Sequence, residues 1–502
     1  MTVVAHAKRI ATGMPDRRAV GLVLGLVLFA VFMITPPPEG LELKAWRVAA
    51  VATLMAIWWL TEALPLAATS LLPIALFPLI GVANIHTVTA PYANHLIYLF
   101  LGGFLLAAAM QRCNLHRRVA LNVVRLVGSR PDQLVGGFML ATALLSMWVS
   151  NTATAAMMLP IGLSVIRLVD SDHDASPGKP DNFAITLLLG IAFSATIGGV
   201  ATLIGTPPNA FMAGFLLREF GIQISISRWL VIGLPMSLFM LALAWITLTR
   251  FIFPVGHEDR PEIESVINDE LARMGSMSRA EKIVAVIFVC TAAAWVLRPL
   301  LQNLLPDGTM LSDSGIAILA AVLMFAIPVD WKKRRFLLDW EAAQELPWGV
   351  LVLFGGGLSL GTMIGDSGLS AAIADCLAGI GDLPIVAIAL IVAAVVAGVS
   401  HLTSNTATAA AFLPLVASLA IRLNVDPLLL VIPATFAASF VFMLPVATPP
   451  NTIVFGARIL TVPQMAKAGL LLNLVALLLI ALLVPLLPLI GFDMASLITV
   501  AP

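Results

Sequence analysis

Two short polar sequences stand inside long stretches that carry no charge. Ser150-Asn151-Thr152 recurs as Ser404-Asn405-Thr406, and Thr206-Pro207-Pro208-Asn209 recurs as Thr448-Pro449-Pro450-Asn451. Ser, Asn and Thr cap helix N-termini. A capped N-terminus turns free N–H groups and the positive end of the helix dipole toward whatever lies in front of it, which makes it an anion site. A helix that ends at the same point offers unpaired carbonyls, and carbonyls and hydroxyls at about 2.3–2.6 Å are the donors a hard cation takes. One such tip can therefore hold an anion and a cation side by side. A proline pair removes two backbone donors and breaks a helix. In lipid, non-helical backbone is tolerated only where it lines a cavity, so the carbonyls of Gly205 and Ala447, just before each proline motif, are free for a cation.

These motifs need elements to hold them, and the chain builds those elements twice. Ser150–Ala156 is identical to Ser404–Ala410 at an offset of 254, and Leu159-Pro160 returns as Leu413-Pro414. Phe100-Leu101-Gly102-Gly103 meets Phe354-Gly355-Gly356-Gly357 at the same offset. The proline motifs repeat at 242, and the polar loop 170–182, present once, accounts for the missing 12 residues. Residues 133–166 and 383–421 are free of charge and broken in the middle by the tripeptides. Each arm is about 17 residues, or about 25 Å of helix, slightly short for a full crossing. The spacing predicts two re-entrant hairpins. An odd number of spans then separates equivalent points, so the halves are inverted, the arrangement of secondary transporters with a site at the repeat interface. Duplication with a structural role alone is the plainer alternative.

Composition says what surrounds these elements. Of 502 residues, 60% are apolar and 11% charged, with a mean hydropathy of +1.00. Soluble chains carry about 25% charge, so this is an all-α polytopic membrane protein. Zero net charge argues against a nucleic-acid partner. Cys113, Cys290 and Cys376 are far apart and form neither a disulfide framework nor a metal pattern. The apolar run 19–34 could open a signal peptide, but Pro36-Pro37-Pro38 and many further spans follow it. With further apolar stretches near 47–64, 66–84, 95–111, 184–217, 226–253, 281–301, 313–328, 347–365, 427–457 and 467–490, about eleven crossings are expected besides the hairpins. Basic residues at Lys8–Arg18, Arg112–Arg130 and Lys332–Arg335, and the charged segment 257–282, all fall on the cytoplasmic side in that count. The N-terminus is then inside and the C-terminus outside.

The charge balance suggests a partner for the anion. No Lys, Arg, Asp or Glu lies in 133–166, 182–217, 383–421 or 427–457. Two helix N-termini supply about one positive charge. A dianion needs more, so bound cations must make up the deficit. With no buried carboxylate to carry a proton, sodium is the better choice. Three sodium ions per dianion would move one net charge, worth about 2.3 kcal/mol per 100 mV, and two would be electroneutral.

At these residues the chain resembles the divalent anion:sodium symporter family, the INDY-type dicarboxylate transporters. Trp59-Leu-Thr-Glu62-Ala-Leu-Pro65-Leu and Ser439–Val454 resemble it too. The resemblance implies eleven transmembrane helices, two re-entrant hairpins, a homodimer in the inner membrane, and elevator motion of a transport domain against a scaffold. It implies import of C4-dicarboxylates such as succinate, malate or fumarate, coupled to sodium at two sites or more, with no organic cofactor. Sulfate, citrate or exchange are the variants within the family. Carried onto this chain, one sodium ion would meet Ser146, Ser150, Asn151 and Gly205, and a second Ser400, Thr403, Asn405 and Ala447. The substrate would meet Asn151, Thr152, Ser404, Asn405 and Thr406, with Pro207, Thr448 and Pro449 nearby. Ser146 and Ser400 each stand five residues before the tip asparagine, as the repeat requires. His401 departs from the family, where an acidic residue is expected. The implied organisation is a cytoplasmic N-terminus (1–18), scaffold helices opening repeat 1 (19–130), hairpin 1 (131–168), its broken helix (183–218) and a closing helix (219–253). A cytoplasmic linker (254–280) leads to scaffold helices opening repeat 2 (281–382), hairpin 2 (383–425), its broken helix (427–458) and a last span (466–490).

Other readings compete. Gly379-Ile-Gly381-Asp382 matches the pattern of intramembrane aspartyl proteases, but neither Tyr92 nor Tyr98 is followed by the partner Asp. Asp170-Ser-Asp172-His173-Asp174 starts like a calcium loop but has Ala175 where glycine is required. Glu62 ends a span and is expected to cap or pair. A channel is excluded if flux saturates and needs a sodium gradient.

Overall fold

The computed structural model describes residues 16–128, 130–171, 182–256, 261–304, 306, 310–332, 334–370, 372 and 383–497. The protease-like Gly379–Asp382 and Asp172–Asp174 of the calcium-like sequence lie outside them. The described chain is mostly helical. Helix starts follow local chemistry. Asp16 caps helix Arg17–Ile34 through Arg18 N at 3.1 Å, Asn94 caps His95–Arg112, and Ser225 caps Ile226–Ile246. Ser278 and Glu281 form a reciprocal capping box on Arg279–Val296.

Among the described residues nine helices are long and apolar enough to cross a membrane, or ten if the pair Arg279–Val296 and Arg298–Leu304, bent by 81°, is one span. Two of the nine, Asn151–Leu168 and Asn405–Arg422, are the second arms of the expected hairpins. Three expected crossings are shorter apolar helices: Leu66–Leu79, Asp313–Ala326 and Leu428–Ser439. Prolines account for the first, which runs as Leu66–Thr69 and Leu72–Leu79 after Pro65. The third unwinds from Phe440 until Pro449 opens the next helix.

Two local features depart from the expected all-α architecture with a featureless linker. Pro328–Asp330 pairs antiparallel with Arg335–Phe336. Asp330 accepts from Lys332 N at 3.0 Å and Arg334 takes a left-handed φ of 49°, which together turn the chain back. The charged linker also folds into a helix, Pro261–Met274, which docks on Leu115–Val127. Arg117 donates to Glu270 at 2.5 Å, and Arg118 donates to Glu281 at 2.6 Å and to Gly275 O at 2.9 Å.

The two halves interlock. In each half the first hairpin arm, Pro131–Ser146 or Ile385–Ser400, packs on the helix before the proline motif, Asn182–Val200 or Leu428–Ser439. The short helix after each proline motif crosses to the other half. Pro207–Phe220 packs on Asn405–Arg422, and Pro449–Phe455 on Asn151–Ser171. Helix Asn182–Val200 carries no charge, shows no polar face, and is buried from Phe183 to its end. The repeated Phe-x-Gly-Gly helices cross near each other, with the Phe100 and Phe354 rings edge to face at 5.2 Å.

The Arg118–Glu281 pair is buried, its side chains 14% and 5% exposed. Arg118→Leu would leave the carboxylate buried without its partner, and should destabilise the protein by about 3–5 kcal/mol. Arg117→Leu, at a more exposed pair, should cost under about 1 kcal/mol. Thermal unfolding of the two variants in detergent checks this order.

Candidate functional site

The sequence motifs converge on one cavity of about 580 Å³. Ser150, Asn151 and Thr152 face it from the first tip, and Thr403, Ser404, Asn405 and Thr406 from the second. Gly205, Pro207, Ala447, Thr448 and Pro449 supply the opposite wall. Of the expected site residues, only Ser146 and Ser400 are not on the surface of the cavity. Both are fully buried behind it. His401 does not line the cavity either; its Nδ1 lies 2.7 Å from Ala397 O, one turn back in its own helix.

The tips are helix starts, as their residues dictate. Helix Asn151–Ser171 begins at the first, where the Ser150 hydroxyl accepts from Ala153 N at 3.2 Å. Helix Asn405–Arg422 begins at the second, but Ser404 makes no side-chain cap bond. The second helix therefore meets the cavity with its first N–H groups less covered. Each proline motif breaks its helix in the same way. Thr206 and Thr448 are extended, with φ of −139° and −138°, and a proline takes the first helical turn. Asn209 donates to Val200 O at 3.0 Å and Thr202 O at 2.8 Å, and Asn451 donates to Leu444 O at 3.0 Å. The motif asparagine thus holds the unwound segment that precedes it. Thr202 adds to this by donating to Met147 O at 2.5 Å, tying the break to the first tip.

Behind each tip sits a cluster of oxygen atoms. The Ser146 hydroxyl is 2.5 Å from Asn151 Oδ1 and 2.6 Å from Ala195 O. The Ser400 hydroxyl is 3.0 Å from Asn405 Oδ1 and 2.7 Å from Ala438 O. A hydroxyl has one proton, so in each half it serves one of two oxygens and the other contact is left without a hydrogen. At the first tip the same end of the Asn151 amide also lies 3.3 Å from Gly205 O. If the amide nitrogen turns there it donates to this set; if the oxygen stays, the set is all oxygen and matches a hard cation. Two glycines make the approach possible. A Cβ on Gly205 would lie 2.3 Å from Gly199 O, and one on Gly199 would lie 2.5 Å from Asn151 Oδ1.

The cavity is also lined by residues that the tip and proline motifs do not contain, among them Trp148, Arg17 and Glu62. Trp148, in the first tip, stacks on Trp295 at 6.2 Å and meets Phe288 edge to face. Arg17 and Glu62 reach the rim from the helices Arg17–Ile34 and Leu43–Thr61. Glu62 pairs with Arg17 at 3.5 Å and Arg18 at 3.4 Å and ends its helix in a left-handed turn, as the capping-or-pairing expectation held. No sequence periodicity points to these contacts, which are made only in three dimensions.

Gly199→Ala should push Asn151 off its cluster and abolish the thermal stabilisation that sodium chloride gives over choline chloride. Gly361→Ala, whose methyl would meet only an ordinary contact at 3.4 Å, should keep it.

Comparison with known proteins follows the same lines. The model of the sodium:sulfate symporter transmembrane region matches residues 16–489. The sodium-dependent dicarboxylate transporter SdcS of Staphylococcus saprophyticus is 41% identical over 95% of this chain and 93% of its own. SdcS of Staphylococcus aureus strain USA300 is 40% identical over 93% and 90%. Among solved structures, the YdaH transporter of Alcanivorax borkumensis aligns with a TM-score of 0.58 at 15% identity, covering 96% of this chain and 100% of that one. MtrF of Neisseria gonorrhoeae aligns at 0.58 and 13%, covering 95% of each. These two share the fold. The relatives are transporters, so the protease reading of Gly379–Asp382 is set aside. The chain belongs to the sodium:sulfate symporter family, the divalent anion:sodium symporters that its motifs resemble.

Proposed function

We propose that this protein imports C4-dicarboxylates of the succinate, malate and fumarate class, driven by sodium. The observation that carries the reading is the single cavity onto which both tips and both proline breaks open. Its volume, about 580 Å³, lies in the range of small-molecule sites. One carboxylate of the substrate meets the N-terminus at Asn151 and Thr152. The other meets Ser404, Asn405 and Thr406, where the uncapped helix start leaves N–H groups to give. Pro207, Thr448 and Pro449 close the wall opposite.

Sodium ions supply the charge that two helix ends lack. One takes Ser146, Ser150, Asn151 and the Gly205 carbonyl; the other takes Ser400, Thr403, Asn405 and the Ala447 carbonyl. The oxygen clusters behind the two tips support this pairing, and add the carbonyls of Ala195 and Ala438. Each tip asparagine faces substrate on one side and sodium on the other, so neither binds well alone, and that mutual need is the coupling. The hairpins are re-entrant, the halves inverted, and a transport domain moves as an elevator against a scaffold in a homodimer of the plasma membrane. The N-terminus is cytoplasmic and the C-terminus outside. His401, set away from the cavity, leaves the preference for a dianion intact.

In proteoliposomes Asn151→Ala and Asn405→Ala should each abolish sodium-dependent succinate uptake; full activity in both would refute the site. Replacing external sodium by potassium should stop uptake in the unmodified protein, whereas unchanged uptake driven by a pH gradient alone would favour protons. Malate and fumarate should compete with succinate; competition by sulfate in their place would move the assignment to the inorganic dianion.

A further inference from the structure

Neither repeated motif contributes a charge to the cavity, yet its rim carries Arg17 and Glu62. Arg17 donates through Nη1 to Leu402 O at 3.4 Å, and its Nη2 lies 3.5 Å from Glu62. Arg18 shares that carboxylate at 3.4 Å. At the cavity surface Arg17 and Glu62 cancel in charge, and Arg18 holds the same carboxylate from outside the lining. The arginine side chains are 58% and 61% exposed, so these ion pairs are weak and easily exchanged. Glu62 reaches the rim from a left-handed backbone, φ 51°, without being glycine, a cost usually kept at functional sites.

The repeat adds a second observation. Leu402 stands 254 residues after Trp148, at the equivalent place in the other tip. Trp148 is held by the rings of Trp295 and Phe288. The equivalent place in the second tip is held by a guanidinium instead. A guanidinium has five donors in a planar fork, and only two directions are engaged here. The rest suit a carboxylate held by two parallel hydrogen bonds.

We propose that Arg17 is a substrate-contacting residue at the cytoplasmic mouth of the cavity: it exchanges Glu62 for one carboxylate of the dianion at the rim, keeps its hydrogen bond to the Leu402 carbonyl, and so receives the ligand as it leaves the second tip. Arg18 keeps Glu62 neutralised during the exchange. This rests on the cavity being the dianion site.

The test is equilibrium binding of succinate to the purified full-length protein at fixed saturating sodium, with ionic strength raised by choline chloride. Arg17→Gln should raise Kd about fivefold to tenfold, the loss of one charged contact. It should also flatten the rise of Kd with ionic strength, because an exposed charge is screened by salt. Arg17→Lys, which keeps the charge but not the fork, should fall between. Arg125→Gln, the same charge change on an exposed side chain of helix Leu115–Val127, controls for net charge and should match the unmodified protein. An unchanged Kd and salt dependence in Arg17→Gln, with sodium-dependent binding intact in the unmodified protein, would overturn this assignment alone. Absence of sodium-dependent binding in the unmodified protein would overturn the transport reading and this assignment together.

Discussion

A doubly charged solute cannot be held deep in hydrocarbon unless fixed charges of opposite sign meet it there, and full side-chain charges at that depth are costly. This chain uses partial charges instead. Breaking four helices where they meet exposes backbone N–H groups and carbonyls without placing any Lys, Arg, Asp or Glu in the segments that carry them. A helix start is a fixed dipole that needs no reorganisation when the anion arrives. Its positive charge is also incomplete, about half a unit each, and in the proposed mechanism that shortfall is what draws a metal cation into the binding reaction.

Much of the fold exists to keep these broken ends in place. The breaks are fastened by their own side chains: Asn209 and Asn451 to the unwound segments before them, Thr202 to the first tip. Gly199 and Gly205 let that backbone approach Asn151 more closely than any side chain would allow. Helix Asn182–Val200, uncharged and buried from Phe183 onward, is the packed post behind the first tip. The exchange of short helices between halves places each proline break against the other half's hairpin. One cavity therefore receives a tip and a break from each repeat.

The tips and breaks were legible in the sequence because their chemistry is local. A capping tripeptide or a proline pair in an uncharged stretch constrains its own backbone, and duplication marks it as deliberate. Family resemblance supplied Ser146 and Ser400, and the structure puts both behind the tip asparagines, in contact with them. What stayed hidden depends on distant partners. Arg17 carries no motif, and Glu62, though part of the Trp59–Leu66 stretch, shows nothing in the sequence of its place on the rim, which follows from packing alone. Helix Pro261–Met274 looked like a solvated charge run because the partner of its Glu270, Arg117 on Leu115–Val127, is far away in sequence. The number of crossings was the least legible quantity. Hydropathy counts apolar residues, whereas the proline at 65 and the unwound stretch after Ser439 decide how much of each run is helix.

The central claim is that metal ions complete the charge which peptide dipoles leave unfinished. It is tested most directly by measuring succinate affinity for the purified protein while sodium is replaced stepwise by choline at constant ionic strength. The account predicts that affinity falls at least with the second power of sodium concentration and vanishes without it, as two linked sites require. Equal affinity in sodium and in choline would contradict it.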